Sequence, residues 1–304
     1  MSLEKAVAAL RAGELVVFPT ETVYGLGADA SNPLAVARIY QAKGRPRFNP
    51  LIAHVSGLDE ALEHAALHPT AIALAEKFWP GPLTIVAPRS DNSTIAELAC
   101  AGLSTVALRA PSHPLARALI AAFGEPIAAP SANRSGRVSA TTIEHAREEL
   151  GDAAALFLDG GPCELGLEST IVTVNADGEA TLLRPGAVTR AAIEAVTDKL
   201  AAPVAGAIAA PGMLESHYAP RARLRLDADA PRAGEAYLAF GAEAPADGLS
   251  LSPTGDLVEA AANLYAHLRA LDAAGAETIA VAPIPSHGLG EAIRDRLARA
   301  AAPR

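Results

Sequence analysis

The chain has 304 residues, half of them hydrophobic and 19% charged, with a formal net charge of −9. That is enough apolar material for a large core, and the length suggests two domains, while the acidic balance argues against a broad, sequence-independent grip on nucleic acid. No secretory signal reads at the N-terminus and no apolar run approaches the roughly 20 residues a bilayer crossing needs, so a cytoplasmic protein with no membrane partner is expected.

In chain order, strand-like apolar runs fall at 15–18, 51–55, 83–87, 105–109, 126–129, 156–159, 170–174 and 181–184. They alternate with helix-like segments, the pattern of an α/β domain over residues 1–200. Helix starts are punctuated by Asn32 before Pro33, by Ser112 close to Pro114, and by Thr141 with Glu144 as a capping box. Residues 201–222 break into Ala, Gly and Pro and read as an extended linker. Beyond it, strands at 223–226, 236–240 and 278–282 and helical spacing at 256–271 and 291–300 predict a second, smaller α/β unit over 223–304.

Two cysteines, Cys100 and Cys163, stand far apart with no paired-Cys motif, which suggests neither a disulfide framework nor a zinc site. The chain has only four lysines against twenty-one arginines, and this gives Lys43 extra weight.

Four polar loops follow strands, where α/β proteins place their sites. Residues 19–27 (PTETVYGLG) gather hydroxyls, a carboxylate and two glycines, which suits a small polar ligand or, equally, a hydrogen-bonded turn. Residues 43–50 hold Lys43, Arg45 and Arg47 between a glycine and two prolines. A guanidinium fork beside a compact ammonium suits a polyphosphate, although such a run is more often solvated surface or a nucleic-acid patch. His54, on the next strand, is a core histidine or a ligand on this evidence. Residues 129–139 add hydroxyls, an amide and two arginines, and residues 160–170 precede a later Arg184-Pro185-Gly186.

Gly161 and Gly166 mimic the spacing of a P-loop, but Leu167 and Glu168 stand where that motif needs Lys and Ser or Thr. Gly25-Leu26-Gly27 lacks the third glycine of a dinucleotide fingerprint, and no Ser-His-Asp elbow or HExxH occurs. Phosphate chemistry without a tightly bound organic cofactor is what survives.

Residues 19–27, Lys43-Gly44-Arg45, Asn49-Pro50-Leu51-Ile52, Trp79-Pro80-Gly81-Pro82-Leu83-Thr84, Ala129-Pro130-Ser131-Ala132-Asn133, the segment 166–171 and Leu183-Arg184-Pro185-Gly186 together resemble the YrdC-like threonylcarbamoyl-adenylate synthases. The likeness runs in the family's order over residues 10–190. Pro211-Gly212-Met213, His217-Tyr218-Ala219-Pro220 and the tail from Gly288 resemble the long form, with a departure at Leu214-Glu215-Ser216, where many members carry a basic residue after the methionine.

The resemblance implies a twisted mixed sheet with a concave basic cavity, followed by a Rossmann-like C-terminal domain. It implies ATP with its Mg2+, L-threonine and bicarbonate as reactants, threonylcarbamoyl-adenylate and pyrophosphate as products, and a downstream tRNA threonylcarbamoyl-transfer machinery as partner. Carried over by position, Thr22, His54, Arg109, Ala129 and Ser169 hold threonine. Lys43, Arg45, Asn49, Thr105, Ser131, Asn133, Ser139, Arg184 and Tyr218 contact ATP, with Lys43 and Arg45 as the catalytic cations and no resident protein-bound metal. Two rival readings stand beside this one: a non-catalytic module binding double-stranded RNA or tRNA, and a related carbamoyl-transfer enzyme using the same cradle.

Overall fold

The structure is a computed structural model and describes residues 2–202, 210–212, 216–246 and 248–303. The N-terminal half carries β1 (Val16–Phe18), β2 (Gly25–Asp29), β3 (Ile52–His54), β4 (Leu83–Pro88), β5 (Thr105–Arg109), β6 (Ile127–Ala128), β7 (Leu156–Phe157), β8 (Thr170–Val174), β9 (Ala180–Arg184) and β10 (Leu200–Ala201). Among the described residues these form one mixed sheet in the order β10-β9-β8-β4-β5-β3-β6-β2-β1-β7.

Helices α1 (Leu3–Arg11) and α5 (Pro114–Phe123) pack over Phe18 and Ile127. Helix α2 (Pro33–Lys43) packs Val36 and Ile39 into the core that holds Leu26 and Leu108, and α4 (Pro69–Phe78) covers Leu83, Ile85 and Val172 with the help of α7 (Arg190–Thr197). Helices α3 (Leu58–His64) and α6 (Ile143–Leu150) complete this half.

The second sheet is fully parallel, in the order β11 (Arg223–Arg225), β14 (Thr278–Val281), β12 (Ala236–Ala239), β13 (Gly248–Ser250). Two helices, α8 (Leu257–Ala273) and α9 (Gly290–Ala301), build its core through Leu264, Leu268, Ile293 and Leu297. Val23, Val138 and Leu167 of the first half belong to the same apolar cluster, so the two units share a core across their seam.

Several local expectations are corrected. Residues 25–29 form a strand instead of continuing the loop; the glycines hide it from propensity, but an added Cβ on Gly27 would lie 2.7 Å from the Phe18 ring. The cap before Pro114 is His113, whose Nδ1 accepts from Leu115 N, and the cap of α6 is Thr142, accepting from His145 N. Leu200–Ala201 pairs in parallel with β9, so the sheet reaches into the segment expected to be linker. The rest of that linker, including Met213, Leu214 and Glu215, lies partly outside the described residues. No described helix is long and apolar enough to cross a membrane.

Candidate functional site

A narrow cavity opens where the ends of β2, β3 and β5 meet the loops after β6 and before β8. Its lining includes Thr22, Arg45, His54, Arg109, Ala129, Ser131, Ser169, Arg184 and Tyr218. Three guanidinium groups therefore face it against one carboxylate, Glu168. About 50 Å³ of it is enclosed, against the roughly 300–1,000 Å³ usual for small-molecule pockets. Pro211, Gly212, His217 and Tyr218 are the residues from the inter-domain segment that line it.

One end is prebuilt. Arg109, 3% exposed, donates to Glu21 Oε1 at 2.5 Å, and Ser112 N donates to the other carboxylate oxygen at 3.1 Å. Burial pushes the Glu21 carboxyl up, but the attraction and hydrogen bond of Arg109 outweigh it and hold the group below its ordinary pKa. Thr20 and Thr22 join hydroxyls at 2.8 Å, and Thr20 caps the turn by donating to Val23 O. Ser169 Oγ lies 2.7 Å from Thr84 Oγ1. His54 is pushed down to about 3, first by burial and then by Arg109, so it is a neutral imidazole. Its Nδ1 has no hydrogen-bond partner.

The other end is built on a helix stop. Asn32 starts α2 by accepting from Leu34 and Ala35 N–H, and Gly44 ends it in the left-handed region at φ 60°. Gly44 N–H then bonds Gln41 O and Arg45 N–H bonds Tyr40 O, a Schellman closure that a Cβ would strain. This reversal throws Lys43 and Arg45 to the same side of the molecule. Arg45 donates to Asn49 O and Pro50 O, and burial brings its pKa down to about 10. Lys43 Nζ, buried, donates to Ser131 O at 2.5 Å and to Asn133 O, tying the helix end to the loop after β6. Burial and then Arg45 lower its pKa well below the ordinary value.

Arg184 donates twice to Ser169 O and once to Pro211 O, linking β9 to the roof. Around this end lie buried polar atoms with no hydrogen-bond partner: both amide atoms of Asn49, Asn133 Oδ1, His217 Nδ1 and Tyr218 OH. Such groups are costly when dry and uncommon in native interiors, so their concentration here makes this end a candidate site for a polar ligand.

Two family models divide the chain. Residues 8–186 match the model described as Telomere recombination, which groups the Sua5, YciO and YrdC proteins, and residues 188–302 match the C-terminal domain of threonylcarbamoyl-AMP synthase. The chain belongs to the threonylcarbamoyl-AMP synthase family. The Bacillus subtilis threonylcarbamoyl-AMP synthase is 40% identical over 98% of this chain and 92% of its own length. That of Pyrococcus abyssi is 38% identical over 96% of this chain and 91% of its own. The crystal structure of P. abyssi Sua5 complexed with L-threonine superimposes with a TM-score of 0.89 over 98% of this chain and 94% of that one, at 36% identity.

Within this synthase fold, the residues expected to hold threonine, namely Thr22, His54, Arg109, Ala129 and Ser169, all line the one cavity. Of those expected at ATP, Arg45, Ser131, Arg184 and Tyr218 line it directly. Lys43, Asn49, Asn133 and Ser139 are buried just behind its wall. Thr105 does not line the cavity: it sits at the opposite end of β5 from Arg109, about 13 Å along the strand at 3.3 Å per residue.

Sequence reasoning left out Glu21, Thr20, Thr84, Glu168 and His217. Glu21 was visible as the only carboxylate in the first loop. Glu168 was hidden because its partner Arg296 is 128 residues away.

Both cysteines are buried and unbonded, as ordinary core thiols are. No cluster of three or more His, Cys, Asp or Glu side chains able to hold a metal occurs among the described residues.

Proposed function

We propose that this synthase condenses L-threonine, bicarbonate and ATP within the one cavity, Arg109 taking the amino-acid end and the Lys43–Arg45 corner the phosphates. The free threonine amine forms an N–C bond to the bicarbonate carbon as the C–OH bond breaks, the hydroxide leaving as water with the amine's proton, and the resulting N-carboxylate oxygen attacks the α-phosphorus of ATP. A bond forms from that oxygen to phosphorus, the bond to the β-phosphate bridge breaks, and pyrophosphate leaves with its electron pair. No covalent enzyme intermediate is needed; the chain's residues hold two anions in line and offset their charge.

The Arg109 guanidinium, oriented by Glu21, presents its remaining N–H groups to the threonine carboxylate. Ser169, Thr22 and neutral His54 have the right chemistry to read a hydroxyl and an amine. Arg45, Arg184 and Lys43 face the triphosphate, with Asn49, Asn133 and Tyr218 gaining partners from it. The cavity carboxylate Glu168 is already bound by Ser139, Tyr265 and Arg296, so Mg2+ would be held by the phosphates it accompanies rather than by this carboxylate. When bound it adds charge neutralisation at the phosphate oxygens. The product would feed a tRNA threonylcarbamoyl-transfer step in the cytoplasm.

The observation carrying this reading is that one cavity gathers Arg109, His54 and Ser169 beside Arg45, Arg184 and Tyr218. Pyrophosphate release by the purified chain tests it: release requiring both L-threonine and bicarbonate, and failing with serine in place of threonine, is expected. Threonine-independent release would point to another acceptor. RNA binding that weakens steeply with salt and ignores ATP and threonine, with no release, would favour the RNA module.

A further inference from the structure

Glu168 is the meeting point of the two units. Its Oε1 accepts from Ser139 Oγ at 2.5 Å, while Oε2 accepts from Tyr265 OH and from Arg296 Nε, each at 2.8 Å. Tyr265 belongs to α8 and Arg296 to α9, and both are essentially without solvent exposure. Burial would raise the Glu168 carboxyl, but Arg296, then Arg184, bring it down to about 2.

The same two side chains hold the roof. Tyr218 stacks on Tyr265 with ring centroids 5.9 Å apart, and the Arg296 guanidinium lies 5.1 Å from the Tyr218 ring centre. From α8, Arg269 donates to the carbonyls of Val138 and Ser139. The seam is close enough that a Cβ on Gly166 would stand 2.6 Å from the Ala262 backbone.

The polar side chains at the nucleotide end that the C-terminal unit holds are thus Glu168, through it Ser139, and Tyr218, while on the threonine side its contact is the apolar one of Val23, next to Thr22. The threonine side is held from within the first unit: Arg109 by Glu21 and Gly81, and Ser169 by Thr84 and Arg184.

We propose that Tyr265 and Arg296 are positioning residues for ATP, acting through Glu168 and Tyr218, so that the C-terminal unit sets nucleotide affinity while leaving threonine affinity alone. This rests on the assignment of ATP and threonine to the two ends of the cavity. The Ser139 hydroxyl donates to a carboxylate that Tyr265 and Arg296 aim from the second unit, and the Tyr218 ring packs against the same pair. Loosening them frees the nucleotide wall without moving Arg109 or Ser169.

The test is calorimetric titration of the full chain with ATP alone and with L-threonine alone, for the unmodified protein, Tyr265→Phe, and the double variant Glu168→Gln with Arg296→Met. Tyr265→Phe loses one hydroxyl and keeps its ring, and the double variant removes the buried Glu168–Arg296 pair together, so neither strands Glu168 without Arg296 as Arg296→Met alone would. Thermal unfolding of each variant verifies a native fold.

The expected result is ATP affinity weaker by about threefold to tenfold in Tyr265→Phe and by tenfold or more in the double variant, with threonine affinity within about twofold of the unmodified chain. If the double variant fails to fold, the Tyr265→Phe split alone decides. Wild-type ATP affinity in the folded variants, or equal losses for both ligands, would overturn the inference and leave the proposed function standing. Failure of the unmodified chain to bind ATP would overturn both.

Discussion

The two ends of the cavity are built differently. Around Arg109 the polar groups satisfy one another: Glu21, Gly81 O, Ser112 N, Thr84 and Ser169 already hold the geometry, and among the described residues His54 Nδ1 is the one buried side-chain atom there without a partner. Around Lys43 and Arg45 the protein leaves Asn49, Asn133, His217 and Tyr218 with unmatched polar atoms. A ligand at the first end meets a preorganised site, whereas a ligand at the second completes one. Preorganisation lowers the ordering cost of binding, so threonine recognition should tolerate changes at the seam and roof that nucleotide recognition does not.

The sharpest way to break this contrast is Lys43→Ala. It removes the ammonium that joins the end of α2 to the carbonyls of Ser131 and Asn133, and pyrophosphate release should fall by roughly 100-fold or more while circular dichroism stays native. Near-normal turnover would detach this corner from the chemistry. Next, Arg109→Met strips the other end of its cation and leaves Glu21 buried without its partner. Threonine affinity should drop by roughly 10- to 100-fold by calorimetry, and denaturant titration should register a loss of about 3–5 kcal/mol, with ATP affinity little changed.

Tyr218→Phe sharpens the comparison at smaller cost, since it deletes a hydroxyl with no protein partner. Stability should hold or rise slightly, while ATP affinity falls by about threefold to tenfold.

The smallest effect is on pH dependence. His54 and His217 both titrate at about 3 in the folded chain against an ordinary 6.5, because burial disfavours their charged forms. The unfolded chain therefore binds more protons between those values. Stability is complete above about 6.5 and is lost as pH falls towards 3. The thermal midpoint should decline over that window, and His217→Gln should make the decline shallower.

Much of this was legible in the residues. The strands carrying Arg109, His54 and Arg184 are apolar runs with a polar end, and the cations of 43–50, held between a glycine and two prolines, stood out as a rigid loop suited to phosphate. Strand β2 was not legible, because Gly25 and Gly27 are chosen for packing against Phe18, which propensity reads as loop. Thr105 lies on the strand that carries Arg109, one strand length from it and outside the cavity's lining. The Glu168 junction escaped because Tyr265 and Arg296 sit on helices 97 and 128 residues downstream, and no local pattern announces a pairing over such distances.

The proposed reaction joins carbon from bicarbonate and nitrogen from threonine to adenylate in one cavity. Mass spectrometry of the nucleotide products formed from ATP, L-threonine and isotopically labelled bicarbonate tests that most directly. We expect a threonyl-containing adenylate carrying the label and appearing together with pyrophosphate. An unlabelled adenylate, or AMP and pyrophosphate with no threonine attached, would contradict it.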